Sequence, residues 1–332
     1  MLRYIGRRLL EIIPLWVLLS MVVYVLVELP PGDVVTIRVA QLKLSGITLS
    51  EEQIVGMRVE YGVDQPIYTR YTRWMYQALV RGDLGRSYSR GEENKTIIMQ
   101  ALPWTLALSL SGLLISWLIA IPLGIYSATH QYTFFDYLFT FIGFFGMCSP
   151  GFLLAMGGAW LMMSYLGFTP IGLYSSAMIE TAWGWPKFVD LMKHLAFPLA
   201  LLALGGTGGM MRTIRNNLLD QLRQQYVVTA RAKGIPERRV LLKYPVRLAI
   251  NPVIGGLGFV FRHLLEGGGL ITIVLGVPTL FPVLLGALQI QDYNLAGTIL
   301  MILATMTLIG TLISDVLLAL VDPRIRFEGG TK

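Results

Sequence analysis

The sequence predicts an all-α membrane protein of six transmembrane helices with N- and C-termini in the cytoplasm, and three observations predict it. Of 332 residues, 54% are hydrophobic and only 14% charged, whereas a soluble domain normally carries about a quarter charged residues. Mean hydropathy is +0.61. The apolar residues gather into runs close to the roughly 20 residues that cross about 30 Å of hydrocarbon, and the basic residues gather between them. A single water-soluble core is therefore excluded. One cysteine, Cys148, and three histidines without ligand spacing exclude an internal disulfide and structural zinc.

Leu9 to Leu29 is longer than the roughly 7 to 15 residues of a signal-peptide core and lacks a cleavage pattern. Arg3, Arg7 and Arg8 precede it and hold the N-terminus inside, so residues 1–29 form a cytoplasmic N-terminus and first span. Residues 30–101 are polar and balanced, with nine Lys/Arg against eight Asp/Glu. They read as an extracytoplasmic region, punctuated at Pro31-Gly32-Asp33, Gly62-Val63-Asp64-Gln65-Pro66 and Gly82-Asp83-Leu84-Gly85.

Residues 102–332 then supply a five-span core. Span two covers Leu102 to Ala128. After a turn at 130–133, the apolar stretch 134–168 is interrupted only by Ser149-Pro150-Gly151 and reads as one long kinked helix. Two crossings there would put the later basic loop outside the cell. Trp183 and Trp185, in an external segment 169–193, suit interfacial anchors. Span four, His194 to Met211, holds Gly205-Gly206-Thr207-Gly208-Gly209, which either lets helices approach closely or merely loosens this one. Spans five and six cover Leu248 to Val277 and Leu295 to Leu320, before a positive tail, Asp322-Pro323-Arg324-Ile325-Arg326.

The chain's net charge of +7 sits in one place, because residues 212–247 carry nine Lys/Arg against two acids. A basic segment between spans is a retained cytoplasmic loop rather than a nucleic-acid site. The chain contains no G-x-x-x-x-G-K-[ST], H-E-x-x-H or G-x-S-x-G. An enzyme is not expected, no cofactor is expected on this chain, and any ATP chemistry must belong to another one.

The loop has internal order. Leu218, Leu222 and Tyr226 recur at helical spacing, and 218–233 lacks Gly and Pro, so a helix of about four turns is expected. Gly234 can end it in the left-handed conformation. Pro236 and Glu237 suit the first turn of a new helix after a two-residue break. Small Ala230 and Ala232 let a partner come close. Charge and periodicity fit two arrangements equally, a docking elbow for another protein or an amphipathic helix lying on anionic lipid.

The run Tyr226-Val227-Val228-Thr229-Ala230-Arg231-Ala232-Lys233-Gly234 resembles the cytoplasmic coupling motif of ABC-importer permeases of the oligopeptide/dipeptide class, first of the two permease types. Arg7-Arg8-Leu9-Leu10, Ile13-Pro14, Leu102-Pro103, Asp136, Asn251-Pro252, Asp292-Tyr293, Asp315 and the C-terminal run extend the resemblance over almost the whole chain. The chain departs from the family pattern at Val228, Glu266, Thr272 and Thr279. The resemblance implies a type I importer-like fold in the inner membrane of a prokaryote. It implies a second, related permease subunit and an extracytoplasmic solute-binding protein as partners. It also implies two ATPase subunits that bind ATP and Mg, with Thr229, Ala230, Arg231, Ala232, Lys233, Gly234, Pro236 and Glu237 forming their docking element. Peptides are the implied cargo, with oligosaccharides or nickel as alternatives.

Arg262, His263 and Glu266 stand inside span five, where a charge costs at least about 2.5 kcal/mol. Arg262 and Glu266, four apart, can neutralise each other, or the three can face a pathway between paired permeases. Asp315 is expected to partner bases of the loop. An ion-coupled carrier would need intramembrane carboxylates in an inverted repeat, and the sequence offers one mid-span acid and no clear repeat.

Overall fold

The computed structural model describes residues 2–29, 34–61, 64–87, 90–256, 268–290 and 292–321. Among these residues the regular structure is helical apart from one isolated bridge, Arg86 to Glu93. The helices are α1 (Leu2–Glu28), α2 (Val34–Leu44), α3 (Glu51–Tyr61), α4 (Ile67–Tyr76), α5 (Asn94–Thr129), α6 (Phe134–Cys148), α7 (Gly151–Leu166) and α8 (Trp185–Leu222). Then follow α9 (Gln225–Ala232), α10 (Glu237–Lys243), α11 (Pro245–Gly255), α12 (268–274), α13 (Leu280–Gln289) and α14 (Tyr293–Val321).

Four helical stretches are long and apolar enough to cross a membrane: Ile5–Glu28, Asn94–Thr129, Trp185–Leu222 and Tyr293–Leu320. The expected kinked helix over 134–168 is instead two helices, α6 and α7, bent by 105° at Ser149-Pro150. Counted as one broken crossing, they bring the total to five. The cause is local: Ser149 is extended (φ −82°, ψ 129°), as a residue before proline prefers, and Pro150 leads α7 without an N–H to donate. Of the fifth expected span, α11 and α12 are described. Arg262, His263 and Glu266 lie outside the described residues.

The chain divides into two compact units. One comprises Leu9–Pro103 and Thr279–Met306. In it α4 packs on the later half of α1: Arg70 pairs with Glu28 at 2.8 Å, Ser20 and Tyr71 hydroxyls meet at 2.6 Å, and Tyr24 contacts Tyr71 and Trp74 edge-on or tilted. Residues 82–94 are tied to the start of α14. Ser87 donates to Asp292 at 2.5 Å, Asn94 to the Leu84 carbonyl and Asn294 to the Arg86 carbonyl. Among the described residues of the mixed region, α4 is thus fastened to the first span and the segment 82–87 with 90–94 to the beginning of the last one.

The other unit comprises Met1–Arg8, Trp104–Pro278 and Thr307–Lys332. Its buried core draws Leu108, Ala120, Leu202, Met211, Ile214 and Leu275 from α5, α8 and α12 or its end. Close approach decides how α6 and α8 pack. A Cβ on Gly208 would stand 2.2 Å from the Gly143 carbonyl oxygen, and one on Gly206 would stand 2.7 Å from the Ser116 hydroxyl. Two glycines of the cluster therefore serve packing, while Gly205 and Gly209 meet nothing within 4 Å. Asp136 faces Arg215, Gly143 faces Gly208 and Gly146 faces Leu204, so the two helices run antiparallel. Asp315, expected to partner the basic loop, pairs with Arg8 at 3.5 Å.

Candidate functional site

The basic loop folds as an elbow. The expected single helix over 218–233 breaks at Arg223-Gln224: Arg223 closes α8, and extended Gln224 (φ −75°, ψ 149°) opens α9. Burial accounts for the break. In a continuous helix Tyr226 would follow Leu218 and Leu222 inward, and its phenol would lose water. After the bend Val227 is fully buried instead. Tyr226 stays at the edge, donating to the Gln221 side-chain oxygen at 2.9 Å and packing edge-on to Tyr244. Partial burial raises its pKa above the ordinary tyrosine value.

Gly234 ends α9 at φ +70°, and no Cβ clash forbids a side chain there, so the requirement is purely conformational. Its N–H reaches the Arg231 carbonyl at 2.9 Å, and the Ile235 N–H reaches that of Ala230 at 3.3 Å, satisfying carbonyls left over at a helix end. The break is four residues, 233–236, not two. Pro236 (φ −55°, ψ 135°) caps α10, which begins at Glu237.

Across this break Arg231 grips Glu237 with both sides of its guanidinium, Nε to Oε2 at 3.1 Å and one Nη to Oε1 at 2.6 Å. These hydrogen bonds hold the Glu237 carboxyl below its ordinary value and raise Arg231. An acid leading α10 and a base ending α9 also each face the favourable end of a helix dipole. Beneath the pair, Val227 and Val240 are buried, at 0% and 4% exposure. The elbow is anchored as well: α11 sets Val246 and Ala249 into a cluster with Leu218 of α8 and Ala128 of α5.

Above this base most of the bend faces outward, with Ala230 half-buried. Residues 231–239 are all exposed, flanked by Val228 and joined by Ile235. Of the expected docking residues, Thr229, Ala230, Arg231 and Ala232 lie on α9, Lys233, Gly234 and Pro236 in the break, and Glu237 on α10. The structure brings them onto one bend. Chemically this is a rigid knob with positive charge and small apolar side chains, fit to enter a groove on another protein.

A second cluster was not singled out by residue spacing. Asp136, 2% exposed at the first turn of α6, accepts from the Ser127 hydroxyl, from the Tyr132 N–H at 3.0 Å and from Arg215 at 3.0 and 3.2 Å. Thr133 caps the same turn. An acid three residues after a threonine at the head of an apolar run is the signal that could have found it.

Residues 120–327 match the family described as binding-protein-dependent transport system inner membrane component. Residues 1–109 match the N-terminal part described for the same systems. The chain is 33% identical over 328 residues to the oligopeptide transport system permease protein AppB of Bacillus subtilis, covering 98% of this chain and 100% of the relative. It is 30% identical over 373 residues to the inner membrane ABC transporter permease protein YejB of Escherichia coli O157:H7, covering 98% and 99%. It is 26% identical over 328 residues to the oligopeptide transport system permease protein OppB of Haemophilus influenzae, covering 98% and 100%.

Proposed function

Because this chain belongs to the family of binding-protein-dependent transport system inner membrane components, we propose that it is the permease subunit of an ATP-driven peptide importer, working by alternating access. It is a multi-pass membrane protein, and the proposal gives it six crossings with both ends in the cytoplasm. Residues 30–101 then face outward and receive a solute-binding protein, and residues 102–332 form the core. A second, related permease completes the pathway. Two ATPase subunits hold ATP and Mg, and this chain holds neither. The relatives named for oligopeptides support peptide cargo over oligosaccharides or nickel, and over an ion-coupled carrier.

The observation that carries the reading is the elbow. A bend exposed on its outer side, stapled by Arg231 and Glu237 and seated on Val227 and Val240, can pass a push without deforming. Its seat on Leu218 and Ala128 hands that push to α8 and α5. In the proposed cycle the ATPases close on ATP and draw the elbows together, opening the pathway outward. Hydrolysis releases them and the pathway opens inward. The two states must differ in free energy of contact, and residues 229–234, 236 and 237 are where the ATPase makes that difference. Arg262, His263 and Glu266 are assigned to the pathway in the same proposal.

Gly234→Val tests it in the reconstituted four-subunit complex supplied with binding protein. A valine at φ +70° costs about 1–2 kcal/mol and distorts the bend. Peptide uptake is expected to fall about tenfold or more while ATP hydrolysis continues and the protein remains in the membrane. Undiminished uptake would overturn the elbow assignment.

A further inference from the structure

We infer that the cleft between α6 and α8 is a binding site for the phosphate headgroup of an anionic phospholipid, with Arg212 as its cationic ligand. The cleft holds about 320 Å³, within the range of ligand clefts. Its floor is the Gly143–Gly208 contact, where the absence of side chains leaves the groove open.

Two features select the occupant. The first is polarity graded along the groove. Because the helices are antiparallel, one end is lined by Tyr132 and Asn216 and the other by Phe144 and Met147. Both helices change from polar to apolar in the same direction. An acyl-chain lipid has that gradient, whereas a free anion needs only the polar end and an apolar protein segment only the other. The exposed tyrosines Tyr132 and Tyr137 at the polar end suit an interfacial depth.

The second feature is charge. Arg215 is committed to Asp136, whose carboxylate is also taken by Ser127 and the Tyr132 N–H. Arg212, one turn earlier on α8, lies exposed over the Phe144 ring at 5.5 Å. Among the described residues it faces no carboxylate within 4 Å. A guanidinium parked over a ring, in the same cleft that Asn216 lines one turn further along α8, is a ready partner for a phosphate. The polar end lies two turns before α9, so the leaflet concerned is the one beside the elbow. Only the name of that leaflet, the inner one, rests on the proposed function.

The assembled transporter in nanodiscs of phosphatidylcholine, with phosphatidylglycerol from 0 to about 30 mol%, provides the test, read by native mass spectrometry of retained lipid and by thermal stability. Wild type is expected to retain phosphatidylglycerol over phosphatidylcholine and to gain stability as it is added. Arg212→Gln is expected to lose this preference about five- to tenfold, and Arg212→Lys to keep most of it. Glycerol 3-phosphate at millimolar concentration should not displace the lipid. Equal retention by Arg212→Gln, no preference in wild type, or displacement by glycerol 3-phosphate would each overturn the assignment, the last by showing a site for free anions. Because the discs have identical leaflets, none of these outcomes depends on peptide uptake or on which side the elbow faces.

Discussion

Two arginine–carboxylate pairs in this chain have nearly the same geometry and opposite surroundings. Asp136 and Arg215 meet at 3.0 Å with side chains 3% and 24% exposed; Glu237 and Arg231 meet at 2.6 Å with side chains 54% and 46% exposed. The first joins residues 79 apart, with Ser127 and a backbone N–H filling the remaining acceptor positions. The second joins residues six apart across a chain break. Removing one partner from a buried pair strands a charge, whereas an exposed pair is compensated by water. Distance alone would rank the exposed pair stronger, and burial reverses the ranking.

The largest effect is therefore expected from Asp136→Ala, which leaves Arg215 facing α6 without its acid. About 3–5 kcal/mol should be lost, read as a fall in thermal midpoint of the purified transporter. The double variant with Arg215→Ala should recover at least about 1 kcal/mol of it. Additive losses would mean that the pair is not coupled, and the comparison would fail.

An intermediate effect separates packing from charge at the same interface. Gly208→Ala places a methyl group against the Gly143 backbone, which no rotamer change relieves, and should cost about 1–3 kcal/mol. Gly209→Ala points into open space and should be neutral or stabilising by up to about 1 kcal/mol, since alanine favours helix. Equal effects at the two positions would show that the cluster acts through flexibility instead.

The smallest effect belongs to the elbow. Glu237→Gln should change stability by less than about 1 kcal/mol. Its pH dependence has a definite sign. Arg231 holds the Glu237 carboxyl below its ordinary value of 4.5 in the folded chain, so the unfolded chain binds its proton first. The contribution is complete above the unfolded value and is lost as pH falls through the lower folded one. A melting series from pH 7 downward should show wild type converging on Glu237→Gln in that acid window, and a constant gap would contradict the pairing.

The same contrast separates what the amino-acid sequence alone reveals from what only the fold reveals. Membrane helices announce themselves through hydrocarbon length: α14 starts two residues before and ends one residue after its expected span, Leu295 to Leu320, and α1 ends one residue short of its expected Leu29 but begins seven residues early, at Leu2. Helices α5 and α8 begin eight and nine residues earlier than expected, at Asn94 and Trp185, since turns outside hydrocarbon need no apolar residues. Gly234 acts where its backbone chemistry predicts, and Pro236 stands one position outside the helix it was expected to begin. The break at Arg223 was hidden because it follows from burying Val227, a tertiary fact. Of five clustered positions, only knowledge of Gly143 and Ser116 tells which glycines matter. Asp136 and Arg215 obey no spacing rule, because what unites them is the antiparallel contact of α6 and α8.

Helix α8 is 38 residues long, about 57 Å at 1.5 Å per residue, nearly twice the roughly 30 Å of hydrocarbon. From its pivot-like contact at Gly208 to its end at Leu222 is about 21 Å on the same rise. A tilt of about 10° around that contact would carry the far end by nearly 4 Å, on the order of the spacing between neighbouring atoms in contact. Motion too slight to register where two glycines touch becomes a full side-chain displacement where the helix hands over to the bend.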